Sequence, residues 1–191
     1  MRKYKIALAA VAAGMLLALN LNAQTDTVNL PATELENFEL QTNTTIVKGS
    51  SLVGTVALDN NSTFLVHARE ANDIDHSQKA YGITVELGGT LPSGAPAKVS
   101  FVVDYDELDS LIAAADYIGK VTWGVTQLNS FEAGYVTKSG FHFIAHSDRR
   151  QDVINTFIQF GDSPRIPVSS DQLTQLRSLI AQAKSTLDGL K

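Results

Sequence analysis

The stretch TFLVHARE, residues 63–70, decides the fold class of this chain. Phe64 and Val66 share one face of an extended segment and His67 lies on the other, which is the two-residue period of a half-buried β-strand. The turn residues Asp-Asn-Asn-Ser come just before it, and Asn and Asp tolerate the left-handed backbone that a tight hairpin requires. Strands joined by so short a turn pair antiparallel. The sequence therefore predicts antiparallel hairpins in this region.

Turn residues separate further stretches of the same kind along the chain. They lie at 37–49, 52–58, 79–87, 97–103, 121–128, 131–137, 141–146 and 153–160. Consecutive strands without a helix after each one are typical of antiparallel sheets and not of parallel βαβ units. We therefore predict an α+β fold built on one antiparallel β-sheet of about seven to nine strands.

Two α-helices are predicted, at about 104–118 and 169–190. Each begins with a capping box, D-x-x-E at 104–107 and S-x-x-Q at 169–172. Apolar residues then recur every three or four positions, which gives each helix one apolar face. Because a single apolar face needs a single partner surface, we expect both helices to pack on one face of the sheet.

A short internal similarity accompanies these elements. The stretch FLVH at 64–67 resembles FIAH at 143–146, and each is followed by a charged loop, a strand that ends in Gly, and a capped helix. Two interpretations are open. Either the chain contains a weak internal duplication whose loops have changed length, or the protein uses the same few α+β elements twice.

Residues 1–23, MRKYKIALAAVAAGMLLALNLNA, have the layout of a secretory signal peptide. Basic residues come first, an uncharged apolar run follows, and the small residue Ala23 offers a cleavage point. The alternative is an uncleaved membrane anchor, for which the apolar run is short. We expect cleavage, export to the periplasm or the extracellular space, and no transmembrane segment afterwards. A flexible arm over 24–36 and a single domain over 37–191 would follow.

Composition excludes several classes of function. The chain of 191 residues contains no Cys, which rules out disulfides, thiolate metal sites and cysteine nucleophiles. Beyond residue 23 it holds 12 basic and 20 acidic residues, a formal charge of −8. A nucleic-acid partner is not expected, because it would need clustered Lys and Arg. The common nucleotide-binding and hydrolase motifs are absent, and we expect no cofactor.

Histidines are the first candidates for a site, because they titrate near neutral pH and bind metals and ligands. His142 and His146 are four residues apart on a predicted strand, a separation of about 13 Å, so one zinc ion cannot bridge them. One hypothesis is that His67 and His146 line a common ligand-binding cleft. The alternative is that all three simply lie on the solvated side of the sheet.

Three further residues are candidate ligand contacts. Trp123, the only tryptophan, belongs either to the core or to an exposed platform for a sugar or a peptide. Arg149 and Arg150 form a basic pair that could hold a carboxylate or a phosphate, although a solvated hairpin loop is the simpler explanation.

One loop resembles the start of a calcium site. Asp73, Asp75 and Ser77 alternate as in an EF-hand loop. The sixth position is Gln78 instead of Gly and the twelfth is Thr84 instead of Glu, so the match is partial. No metal is therefore assigned, and these three residues remain a weak calcium candidate.

The predicted function is that of an exported binding or interaction module, with a protein, a peptide or a small molecule as its ligand. Two alternatives from other classes stay open. One is a hydrolase whose His, Asp and Ser residues come together from distant positions. The other is a structural or self-assembling envelope protein.

Overall fold

A computed structural model of the chain describes residues 33–59, 61–90, 96–148 and 152–191. Within these residues the protein is α+β, with two antiparallel four-stranded sheets and three α-helices. The expected signal peptide, most of the expected arm, and the candidates Arg149 and Arg150 lie outside the described residues.

The first sheet contains four strands in sequential order: β1 (Ile46–Ala57), β2 (Thr63–Asp73), β3 (Gln78–Thr90) and β4 (Pro96–Asp104). All neighbours are antiparallel. The stretch at 63–70 lies inside β2, with Phe64 and Val66 fully buried and His67 on the opposite face. The prediction from these residues is confirmed.

The second sheet has the same strand arrangement with shorter strands. It contains β5 (Glu132–Val136), β6 (Phe141–Asp148), β7 (Val153–Phe160) and β8 (Ile166–Val168), again antiparallel and in sequential order. The odd-numbered residues of β6 from Phe141 to Ala145 are fully buried, so this sheet also has an inner and an outer face.

The three helices are α1 (Glu34–Glu39), α2 (Leu108–Ile118) and α3 (Ser170–Asp188). A 3₁₀ turn at Tyr105–Glu107 leads from β4 into α2. The helix α3 packs on β1, β2 and β3, whereas α2 packs on β5, β6 and α3. Each long helix therefore covers the sheet that the other half of the chain provides.

The main core lies between the two sheets and these helices. Buried residues from both sheets, α2 and α3 form one hydrophobic cluster. Phe160 of the second sheet connects it, with ring centroids 6.0 Å from Phe64, 5.2 Å from Phe101 and 5.5 Å from Phe141. Each such ring pair contributes about 0.5–1.5 kcal/mol beyond the buried area. A second, smaller cluster lies outside the first sheet, where Leu35 of α1 packs on Ala71 and Val102.

The prediction of one sheet with both helices on one face was wrong. The eight strands divide between two sheets because β4 leads into α2, and no pairing joins β4 to β5. Turn residues determine which strands form hairpins, but they do not determine whether successive hairpins join the same sheet.

Two predicted strands were also wrong at particular positions. Residues 121–128 contain a 3₁₀ turn at Trp123–Val125 and no strand. The start of the predicted strand at 37–49 lies in α1, because Thr33 and Glu36 form a capping box that starts a helix. The helix therefore begins within the range expected for the arm.

Of the two predicted capping boxes, one is confirmed. Ser169 and Gln172 bond reciprocally at the start of α3. The box at 104–107 was wrong, because the Asp104 carboxylate accepts hydrogen bonds from the backbone of α1 instead. The Glu107 carboxylate accepts one from the Lys138 backbone N–H at 2.8 Å.

Candidate functional site

The structure does not bring the predicted histidines together. His67 lies on β2 in the first sheet, and His142 and His146 lie on β6 in the second. Their neighbours in sequence, such as Val66 and Phe143, point into the common core. All three histidines therefore lie on outer faces that point away from the core, and a cleft shared by His67 and His146 is not formed.

The two histidines of β6 lie beside an ion pair. Arg165 donates to both carboxylate oxygens of Glu132, at 2.8 and 3.0 Å, and His146 Nδ1 lies 3.4 Å from the same carboxylate. The hydrogen bond from Arg165 holds the pKa of Glu132 below its ordinary value, against the effect of burial. Burial, followed by the charge of Arg165, lowers the pKa of His142. A neutral His142 is therefore favoured at neutral pH.

His67 lines a shallow polar groove of about 310 Å³ on the outer face of the first sheet. Arg69, in the same groove, lies 2.5 Å from Glu39 Oε1 and 3.4 Å from Thr84 Oγ1. Because Glu39 already neutralises this guanidinium, the groove is not a ready site for an anion. Its other lining residues are Ser50, Glu86 and Ser100.

Trp123 is neither a core residue nor a flat exposed platform. It is half-buried, and its ring meets Phe131 edge to face with centroids 6.0 Å apart.

The calcium candidates lie in and beside the turn between β2 and β3. The buried Asp73 carboxylate accepts from the Thr44 hydroxyl at 2.5 Å and from the backbone N–H groups of Asp75 and His76. Burial raises its pKa, but these hydrogen bonds and the contact with His76 outweigh it and hold the pKa at about 2. Over the four described ranges, no group of three or more His, Asp and Glu residues could hold a metal ion. The Asp73 oxygens are instead used by protein donors.

The same turn contains a residue that the sequence reasoning did not select. His76 Nδ1 lies 2.7 Å from Asp73 Oδ2, and the ring is 61% exposed. The spacing D-x-x-H in a turn was the available signal. The Thr44 hydroxyl faces the same ring nitrogen at 3.5 Å. In a catalytic triad the carboxylate faces one ring nitrogen and the nucleophile faces the other. Here both Asp73 and Thr44 face Nδ1, so His76 is oriented by its neighbours but does not have the geometry of a triad.

A larger cleft, of about 540 Å³, lies where the first sheet ends. β4 pairs with β3 only from Gly82 to Thr90, so among the described strands β2 alone pairs with residues 78–81 of β3. The helix α1 forms one wall of this cleft through Leu35 and Phe38. We call it the edge cleft, defined by α1, residues 78–81, the turn at 104–106 and Lys191.

Two tyrosines and a lysine form the opposite wall of the edge cleft. Tyr81 and Tyr105 meet edge to face with centroids 6.5 Å apart. The Lys191 ammonium lies 3.7 Å from the centroid of the Tyr105 ring, and Lys184 lies at 5.4 Å. The Tyr105 hydroxyl donates to Asp188, a hydrogen bond that raises the pKa of the tyrosine. The hydrogen bond to Asp188 thus holds the Tyr105 ring in place, and two ammonium groups lie near it.

Acidic residues lie at the closed end of the edge cleft, where β4 turns into α2. Asp104 is 2% exposed and accepts from the N–H groups of Glu34 and Leu35 at 2.8 and 3.0 Å. Lys138 lies 3.5 Å from Asp104 and 3.0 Å from Asp106. The hydrogen bond with Asp106 raises the pKa of Lys138. Sequence reasoning found this acidic run but not its role in holding α1 against the sheet.

Two comparisons of the sequence with known proteins find no match. No protein-family model matches the chain, and a search of the curated proteins gives no match. None of the helices in the described part of the chain has both the length and the apolar character needed to cross a membrane. Function must therefore be inferred from the clefts and their side chains.

Proposed function

We propose that the protein is an exported binding module and that the edge cleft is its ligand-binding site. The observation that carries this proposal is the cleft itself: a concave space of about 540 Å³ at an incomplete sheet edge. Binding sites combine apolar walls with a few oriented polar groups. Here Leu35 and Phe38 supply the apolar wall, and Tyr105 and Asp106 supply polar groups.

The geometry supports binding more than hydrolysis. The Asp73–His76 pair is the closest approach to a catalytic arrangement in the described residues, and it lies on an exposed turn. Neither Asp73 nor His76 lines the edge cleft. A hydrolase would need its base and its nucleophile next to a substrate site.

Nuclear magnetic resonance tests the location of the site. The ¹⁵N-labelled protein is titrated with a library of small aromatic, cationic and sugar fragments while the amide chemical shifts are recorded. We expect the shift changes to cluster at 34–38, 78–81 and 104–106. Tyr105→Ala should reduce them, and Tyr117→Ala, which removes an exposed tyrosine of α2, should not. Changes confined to the His67 groove would contradict the proposal.

We also propose that the two halves of the chain arose by duplication. In the described residues, each half consists of four antiparallel strands followed by a long helix. The similar stretches at 64–67 and 143–146 both lie on the second strand of their sheet, with Phe64 and Phe143 buried in the core. Superposing β2 on β6 in this register should also superpose the remaining strands. A best superposition in another register would contradict a common origin.

A further inference from the structure

We propose that the edge cleft binds an extended peptide, which adds a strand to β3 and places a basic side chain on Tyr105. This inference names the ligand of the site proposed above and rests on that proposal.

The open edge of β3 carries the first part of the argument. Residues 78–81 form ladder pairs with 70–73 of β2, and no strand of the described residues pairs with their other side. In an antiparallel sheet every second residue directs its N–H and C=O toward a given neighbour. The open side therefore presents backbone groups that an extended peptide can pair with. At about 3.3 Å per residue, four residues of edge accept a segment about 13 Å long.

The two walls set the side chains that such a peptide needs. Successive residues of a strand point to opposite faces. Those directed toward α1 meet Leu35, Phe38 and Ala80, which belong to an apolar cluster. Those directed the other way meet Tyr81 and Tyr105. The cleft therefore favours a peptide in which an apolar residue alternates with one that suits these two tyrosines.

The contact between Lys191 and Tyr105 indicates a basic residue at that second position. The Lys191 ammonium lies 3.7 Å from the centroid of the Tyr105 ring, which is a cation–π contact. A lysine or arginine of the ligand can make the same contact by displacing Lys191. The lining also contains three carboxylates, Glu34, Asp104 and Asp106, and a second ammonium group, Lys79. Lys138 pairs with the three carboxylates, and Glu70 pairs with Lys79. A ligand cation that displaces Lys191 therefore still meets an excess of acidic groups, which favours a basic ligand over an acidic one.

The test uses a fluorescein-labelled hexapeptide, Val-Lys-Val-Lys-Val-Lys, as the probe. Its Kd is measured by fluorescence polarisation, and its contacts are mapped by amide chemical shifts of the full protein. Two matched peptides are the controls, one with Glu at every Lys and one with N-methylated backbone amides. We expect the Lys peptide to bind and to shift residues 78–81, and we expect both controls to bind at least tenfold more weakly.

Protein variants separate the parts of the inference. Tyr105→Ala should weaken binding of the Lys peptide about tenfold, the upper range of a cation–π contact. Lys191→Ala should tighten it about threefold by removing the competitor, and it also serves if the Tyr105 variant does not fold. Asp106→Asn should weaken it about twofold to fivefold, as for an exposed ion pair. Tyr117→Ala is the control and should leave the Kd unchanged.

The outcomes distinguish this inference from the proposed function. Equal binding of the Glu peptide would overturn the preference for a basic ligand. Equal binding of the N-methylated peptide would overturn strand addition. If no peptide shifts the edge cleft but small fragments do, the inference is wrong and the proposed function stands. If neither peptides nor fragments shift it, both are wrong.

Discussion

Replacing Asp104 by Ala should release α1 from the sheet while the rest of the fold stays intact. The first N–H groups of any helix lack partners within the helix. In α1, Asp104 accepts from Glu34 N and Leu35 N, and Thr33 Oγ1 accepts from Glu36 N. Alanine removes the acceptor for two of these three donors.

The magnitude follows from these contacts. A hydrogen bond to a charged group contributes about 1.5–3 kcal/mol, so losing two costs about 3 kcal/mol or more. Against this, complete burial of a leucine side chain such as Leu35 contributes about 1.5–3 kcal/mol. The free energy lost with the two hydrogen bonds therefore equals or exceeds the free energy that burial of Leu35 contributes to holding α1 in place. Because α1 packs on the outer face of the first sheet, the main core between the sheets should remain folded.

Amide hydrogen exchange measures this effect residue by residue. We expect protection at 34–40 to fall about a hundredfold, since 1.4 kcal/mol is a factor of ten, while β2 and β6 keep theirs. Asp109→Ala is the matched control, because Asp109 is an acidic residue of α2 with an 83% exposed side chain. Unchanged protection at 34–40 in the Asp104 variant would refute the reasoning.

Three further predictions concern stability and titration. The Asp73 pKa is lowered from 3.8 to about 2, so its stabilisation is complete above about pH 4 and is lost as the pH falls toward 2. Calorimetry should show Tm falling over that interval, and Asp73→Asn should remove this component. Ser169→Ala should cost about 1 kcal/mol in urea unfolding through loss of the α3 cap, and Ser178→Ala, within the same helix, should cost less. Arg165→Ala should raise the His142 pKa part of the way toward its ordinary value, because burial still lowers it.

Each of these three has an outcome that counts against it. A Tm profile of Asp73→Asn that parallels the unchanged protein between pH 4 and 2 would remove the assigned role of that carboxylate. Equal costs for the two serine variants would show that the cap contributes nothing specific. If NMR titration shows the same His142 pKa with and without Arg165, the Arg165 charge does not lower that pKa.

The sequence predicted the elements whose cause is local. Alternation at 63–70 gave the strand β2, and the Ser169–Gln172 box gave the start of α3. Asp104 shows why local reasoning fails elsewhere. Its spacing to Glu107 satisfies the capping-box pattern, yet its carboxylate bonds to residues about 70 positions earlier in the chain. A sequence motif shows which hydrogen bonds a side chain can make to nearby residues. It does not show whether folding brings a donor from a distant part of the chain closer.

The edge cleft was beyond the sequence for the same physical reason. It exists because β3 begins four residues before Gly82, the first residue of β3 that pairs with β4. The relative lengths of two strands depend on how the segments pair, which the sequence of one segment does not show. The wall opposite α1 consists of Tyr81, Tyr105 and Lys191, which come from three separate parts of the chain. The histidines, by contrast, were selected for their residue type, and their strands direct them to two separate outer faces.

The most direct test of the central claim is a set of isotope-filtered NOEs between the unlabelled Val-Lys hexapeptide and the labelled protein. If the edge cleft is the binding site, cross-strand NOEs should connect the backbone of the peptide to residues 78–81 of β3. Lysine side-chain protons should also show NOEs to the Tyr105 ring. A bound peptide with NOEs only to the His67 groove, or to the outer face of the second sheet, would contradict the account.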